Sequence, residues 1–180
     1  MSNSRKKVIV RRFAGDSIPG YMSNSGIVRS GVLELLDLSG RIQSLALNDV
    51  KMVSFVRDFN LSDSANPERL IRRTFLSRPR TEGLWLRLTF RSGDLMEGLA
   101  ATDLSLLDAL VEDAGLYLTP PDIRSNTQRI YIPHLAIAEI HLLAVVTSPS
   151  HKKPISNQES KEKLQNELFH MPFDPDSRPN

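Results

Sequence analysis

Apolar residues along this 180-residue chain recur with a period of two, in short runs separated by glycine-rich turns. Val8-Ile9-Val10 opens the first run, and GDSIPG (residues 15–20) turns it, because glycine adopts positive φ without steric cost. GVLELL (31–36), IQSLAL (42–47) and KMVSFVRDF (51–59) read as further strands, with Asp37-Leu38-Ser39-Gly40 as a turn between the first two. In LWLRLTF (84–90), Leu84, Leu86, Leu88 and Phe90 fall on one face of a strand. GDLMEG (93–98) turns that strand. GLYL (115–118), RIYI (129–132) and AIAEIHLLAVV (136–146) predict three more. The longest apolar stretch, Leu142 to Val146, reads as a buried strand and is too short to cross a bilayer.

The second half of this series repeats the first. GDSIPG and GDLMEG occupy matching places, and Leu47, Val50, Met52 and Phe55 match Ile132, Leu135, Ile137 and Ile140 at the same relative spacing. A strand, one 3₁₀ turn and another strand produce that spacing, with the turns at Asn48-Asp49 and Pro133-His134. The pattern predicts a mainly β protein in which one small barrel is built twice. A flexible arm (1–7) precedes the first five-stranded barrel (8–59). A connector (60–83), a second barrel (84–147) and a disordered, Pro-, Ser- and charge-rich tail (148–180) follow. Asn66-Pro67-Glu68 starts a short helix in the connector, with an N-cap side chain, a proline at N1 and an acid at the positive end of the dipole. Thr102 to Ala114 has no counterpart in the first half and predicts a second short helix, with Leu104, Leu107 and Leu110 on one face. A barrel below about 70 residues has a thin core, so the two are expected to pack together.

Composition narrows the chemistry. Lys and Arg number 23 against 21 Asp and Glu, a net charge of +2 that points to a nucleic-acid partner only where cations cluster. Cysteine is absent, which excludes disulfides, thiolate metal sites and cysteine nucleophiles and is compatible with a cytoplasmic location. The polar start MSNSRKKVIVRR lacks the apolar stretch of a secretory signal. Neither a nucleophile elbow nor a phosphate-binding glycine loop occurs, and His134, His141, His151 and His170 have no metal-ligand spacing. His141 reads as a half-buried structural residue, and Asp16, Asp94 and Glu97 as turn carboxylates. The expectation is a non-enzymatic protein with no catalytic residues, no metal and no cofactor.

Two family resemblances give this reading more content. Five short strands, a glycine hairpin and a 3₁₀ turn before the last strand resemble the Sm-like barrel, here in tandem and of bacterial type. Gly98-Leu-Ala-Ala-Thr-Asp103-Leu-Ser-Leu106 is similar to its first signature, while Ile132, Ile137 and Ile140, and Leu47, Met52 and Phe55, fit the apolar positions of its second. The resemblance implies a fold, oligomerisation and binding of single-stranded RNA. Pro133-His134 and Asn48-Asp49 stand where the family carries the Arg-Gly pair that holds RNA, so that site does not transfer. Arg69-Leu-Ile-Arg-Arg73 followed by Asp103-Leu-Ser105 resembles the PilZ barrel. It implies a receptor for cyclic di-GMP, with Arg69 and Arg73 clamping phosphate and guanine and Asp103 and Ser105 bonding the ligand. Asp108 replaces the last glycine of that motif.

The connector holds the densest cluster of cations. Arg69, Arg72, Arg73, Arg78 and Arg80 lie there with only Glu68 and Glu82 to offset them, a patch suited to phosphates that positions a nucleic acid without reading its sequence. In the tail, Gln165-Asn-Glu-Leu168-Phe169 resembles the pentapeptide by which bacterial proteins dock on the DNA sliding clamp. The sequence therefore predicts a binding or adaptor protein whose partner is nucleic acid or protein. Its candidate surfaces are the connector arginines, the barrel mouths around Asp16 and Asp94, and the tail anchor.

Overall fold

The computed structural model describes residues 5–22, 28–59, 73–102, 115–121 and 126–147. Their chain is mainly β. β1 (Lys6–Arg12) and β2 (Ser17–Met22) form a hairpin, followed by β3 (Val28–Arg29), β4 (Val32–Asp37), β5 (Ile42–Ala46), a 3₁₀ turn (Leu47–Asp49) and β6 (Val50–Val56). β7 (Gly83–Phe90) and β8 (Leu95–Ala100) form a second hairpin. β9 (Leu116–Leu118), β10 (Thr127–Ile132), another 3₁₀ turn (His134–Ala136) and β11 (Ile137–Val146) complete the series. Among the described residues no helix is long and apolar enough to cross a membrane.

The two hairpins share their turn chemistry. Gly15 and Gly93 take φ of +92° and +82°, and each donates its N–H back to the end of the preceding strand, to Arg12 O (3.1 Å) and Phe90 O (2.8 Å). Gly20 and Gly98 have a different duty. A Cβ on Gly20 would come within 2.7 Å of Leu35 Cγ, and one on Gly98 within 2.9 Å of Leu118 Cβ. In both places a buried leucine from the next strand occupies the space that a side chain would need.

All ladders are antiparallel and form two sheets. The larger runs β3-β4-β2-β1-β6-β10-β9, with β5 also on β4; the smaller runs β11-β7-β8. A bridge between Leu99 and Thr119 links β8 to β9. The expectation of two separate five-stranded barrels needs correction. Neither sheet closes on itself, and the larger sheet carries strands of both halves, joined where β6 pairs with β10. The free outer side of β6 accepts a strand from the other half, which satisfies its backbone groups without closure. The helix expected in Thr102 to Ala114 falls on residues outside those described, apart from Thr102; the one expected from Asn66 through Leu76 lies outside them up to Arg72, and its described end, Arg73 to Leu76, is not helical. The described end of the connector, Arg73 to Glu82, is irregular.

The 3₁₀ turns stand where the sequence places them, but the residue matching shifts. Arg12 lies opposite Val50 and Val10 opposite Val53, with a bulge between Arg11 and Arg12. Phe90 lies opposite Ile137 and Leu88 opposite Ile140, with a bulge at the same step. Ile140 therefore corresponds to Val53, not to Phe55, a slip of two residues in the sequence alignment. A slip of two keeps every side chain on its own face, so period-two patterning alone cannot detect it.

Two cores result, and each borrows from the other half. Val8, Val10, Leu33, Leu35, Val50 and Val53 pack with Tyr131 of β10. Leu86, Leu88, Phe90, Leu116, Ile130 and Ile132 pack with Met52 of β6. The predicted apolar face of LWLRLTF is correct: Leu86, Leu88 and Phe90 are buried. Leu142 to Val146 is not the buried strand that its composition suggests. Of its apolar residues only Val146 is fully buried, because β11 lies at a sheet edge.

Candidate functional site

The junction between the halves is held by charge as well as by pairing. Lys51, on β6, is almost fully buried and donates to Asp94 in the β7–β8 turn, with its ammonium 5.0 Å from the centre of the Phe90 ring. Ser92 Oγ donates to Asp94 at 2.9 Å, and the Arg73 guanidinium also donates to Asp94, at 3.3 Å. The Lys51 hydrogen bond, then that of Ser92, and the charges of Lys51 and Arg73 hold the Asp94 carboxyl at about 2, against the opposing effect of burial. Arg91 adds a second tie, donating to Asn48 O at 2.8 Å and stacking 4.6 Å from the Phe13 ring. The cleft beside Lys51 and Asp94 measures about 20 Å³ and admits at most a water. Asp94 is thus a structural clasp already supplied with donors. Asp16, its counterpart in the first hairpin, is paired with Arg12 at 2.5 Å.

Glu97 departs from the turn role read in the sequence. It lies on β8 and is buried, accepting from Arg87 (2.7 Å), from Trp85 Nε1 (3.2 Å) and from the backbone N–H of Phe75 (3.0 Å). Burial alone would raise its pKa; these three donors outweigh it and leave the carboxyl below the ordinary range. Glu97 N also donates to Arg73 O at 2.6 Å. Glu97 therefore pins the end of the connector against the second hairpin and sets where the following residues run.

Beyond that pin the connector bounds a hollow of about 340 Å³, lined by Phe75, Arg78, Pro79, Arg80, Leu99 and Pro120 among others. A second hollow, about 250 Å³, adjoins it through Leu99 and Thr119 and is bordered by Tyr117 and Arg129. The Arg129 guanidinium lies 4.1 Å from the Tyr117 ring centre, and the charge of Arg129 offsets part of the rise that burial imposes on the Tyr117 hydroxyl. Tyr117 and Phe55 rings are 6.4 Å apart, and the Lys6 ammonium is 5.9 Å from Phe55. Lys6 and Phe55 come from the first half, Tyr117 and Arg129 from the second. The resulting surface has cations at intervals, with aromatic faces between them.

The predicted residues are distributed unevenly over this arrangement. Arg78 and Arg80 are exposed and line the larger hollow. Arg73 points elsewhere, to Asp94. Arg69, Arg72, Asp103 and Ser105 lie outside the described residues, as do Gln165, Leu168 and Phe169. His141 is exposed and bonds Glu139 at 2.9 Å, so the half-buried role expected for it is incorrect. Among the described residues no group of three or more His, Asp or Glu could hold a metal. The sequence reading missed Lys51, Tyr117 and Arg129. A lone lysine in the apolar run KMVSFV was the one signal for the first, while the stacked pair arises only when β9 and β10 come together at Tyr117↔Tyr131.

A model of a family of unknown function, DUF6982, matches residues 4–144. No curated protein and no solved structure matches the chain.

Proposed function

The chain belongs to the family of unknown function DUF6982, and from the geometry above we propose that it is a non-enzymatic binding module. In this reading it is made of two Sm-like units and holds a single-stranded nucleic acid along the adjoining hollows. The observation that carries the reading is the Arg129–Tyr117 stack at 4.1 Å, set beside a hollow lined by Arg78 and Arg80. Arginines neutralise a phosphate backbone, and an aromatic face with a guanidinium plane accepts an unstacked base of any identity. The strand order, the shared hairpin glycines and the matching 3₁₀ turns support descent of both halves from one Sm-like unit. The surface used differs from the family's Arg-Gly site, which this chain lacks.

Fluorescence anisotropy with labelled single-stranded RNA and DNA tests this. Affinity should fall with salt at a log–log slope of about −2, the value for three neutralised phosphates on a single strand. Arg78→Ala with Arg80→Ala should flatten the slope, whereas Arg129→Ala should weaken binding mainly through lost stacking. Absence of binding at low salt would end the reading. Calorimetry with cyclic di-GMP separates the PilZ-like alternative. Heat that Arg73→Ala abolishes, with no binding of polymer, would replace nucleic acid by the dinucleotide.

A further inference from the structure

The arginines that the connector brings to the hollow lie on a stretch without regular secondary structure, Arg73 to Glu82. Three points fix that stretch. At its start the backbone N–H of Phe75 donates to Glu97 Oε2 at 3.0 Å, and the Phe75 ring meets the Trp85 ring edge-on at 5.6 Å. Pro79 is buried midway, and Gly83, opposite Val146, begins β7. Between the first and last points the chain forms a strap over the hollow, whose other wall includes Leu99, Thr119 and Pro120. The Glu97 carboxylate is itself held on both oxygens. Arg87 occupies Oε1 through Nε (3.0 Å) and Nη2 (2.7 Å), and Trp85 Nε1 shares Oε2 with Phe75. Burying a carboxylate in this way contributes little net stability, since desolvation offsets most of the gain from pairing. What the carboxylate supplies is direction: it fixes one backbone N–H of an otherwise irregular segment.

We propose, resting on the nucleic-acid reading above, that Glu97 is a positioning residue for that surface: through Phe75 it sets the strap so that Arg78 and Arg80 face the hollow. Glu97 is buried and does not line the hollow, so it acts through the strap and not by contact with the ligand. Its two possible effects on a polyanion have opposite signs. By charge alone, a carboxylate near a phosphate-binding surface repels the ligand, and its removal should tighten binding. By position, its removal releases Phe75 and lets the strap take other courses. Arg78 and Arg80 must then be ordered anew at each binding event, so affinity falls. The charge of Arg87, 2.7 Å away, already offsets that of Glu97, which leaves position as the larger effect.

Fluorescence anisotropy of the full chain with a labelled oligothymidylate tests this. Glu97→Gln keeps the size of the side chain and removes its charge. It should weaken binding about tenfold and bring the log–log salt slope from about −2 to about −0.7, the value for one remaining phosphate contact. Phe75→Pro removes the N–H that Glu97 accepts and leaves Arg87 and Trp85 on the carboxylate, so it should do the same from the strap side. In a chain carrying Arg78→Ala and Arg80→Ala, Glu97→Gln should cost nothing further, whereas it should add to the loss caused by Arg129→Ala. Trp85 is the chain's one tryptophan, so its emission reads the pin without ligand. Glu97→Gln and Phe75→Pro should shift it, and Arg78→Ala with Arg80→Ala should not. Cooperative urea unfolding, followed by circular dichroism, checks that each variant is folded; should Glu97→Gln fail to fold, Phe75→Pro decides. Tighter or unchanged binding by either folded variant would overturn the proposal. So would a loss that persists undiminished without the two arginines, which marks general damage to the fold. If wild type binds no oligonucleotide at low salt, the nucleic-acid reading fails and takes the proposal with it; wild-type binding that ignores Glu97→Gln ends the proposal alone.

Discussion

β6 and β11 are built alike and live differently. Each follows a 3₁₀ turn, each pairs with the first strand of a hairpin, and each ladder carries its bulge at the same step. Every residue of β6 except Phe55 is buried, whereas six consecutive residues of β11, Ala138 to Leu143, are exposed. Composition does not account for this, since β11 is the longer strand and just as apolar. The difference comes from β10, which covers the outer side of β6 and lends Tyr131 to the core beneath it. A strand buried on both faces is therefore a property of its neighbours as much as of its own residues.

The strongest way to break the comparison is to put the same charge at both members of a matched pair. Val53→Asp should cost about 3–5 kcal/mol or abolish folding, because the carboxylate would sit in a closed core without a partner. Ile140→Asp should cost about 1 kcal/mol at most in the monomer, since water already reaches that position. Urea unfolding of both variants measures the difference, and similar losses would mean that β11 is covered in solution.

A smaller effect sharpens the same contrast at the clasp. Lys51 has Ala138 as its counterpart, so only the first half sends a buried cation to a hairpin turn. The folded pKa of Asp94, about 2, lies below the unfolded value of about 3.9. Its contribution to stability is therefore complete above pH 4 and is lost as pH falls towards 2. Asp94→Asn should lower stability at neutral pH and flatten the acid limb of a plot of unfolding midpoint against pH. An acid limb unchanged by the substitution would show that the clasp does not carry that dependence.

The smallest effect concerns Ser54. Its hydroxyl is fully buried with no hydrogen-bond partner, while His141, its counterpart, bonds Glu139 on the surface. Ser54→Ala should raise stability by up to about 1 kcal/mol, because it removes a desolvated polar group without leaving a donor unpaired. A rise in the thermal midpoint checks this, and a fall would mean that the hydroxyl has a partner after all.

Much of the local architecture was legible in the residues. Hairpin turns at Gly15 and Gly93 follow from the need for positive φ, and the strand faces of Leu86, Leu88 and Phe90 from a period of two. The candidate site was legible only in fragments. Arg78 and Arg80 stood out as a cluster of charge. Arg129 and Tyr117 did not, because they lie on different strands and meet only through cross-strand pairing. Nothing local announces that Asp94 engages Arg73 or that a carboxylate pins the connector there.

The sequence by itself determined that the chain is mainly β, where most of its strands lie, and which turns need glycine. These are short-range matters, set by steric limits on φ and by the alternation of side chains along an extended backbone. The tertiary structure alone decided that the halves share a sheet, that Lys51 and Glu97 are buried with partners, and that β6 has a strand on its outer side while, among the described residues, β11 has none. Each of these depends on which strand lies beside which, and an apolar strand reads the same in sequence whether its outer edge meets another strand or water.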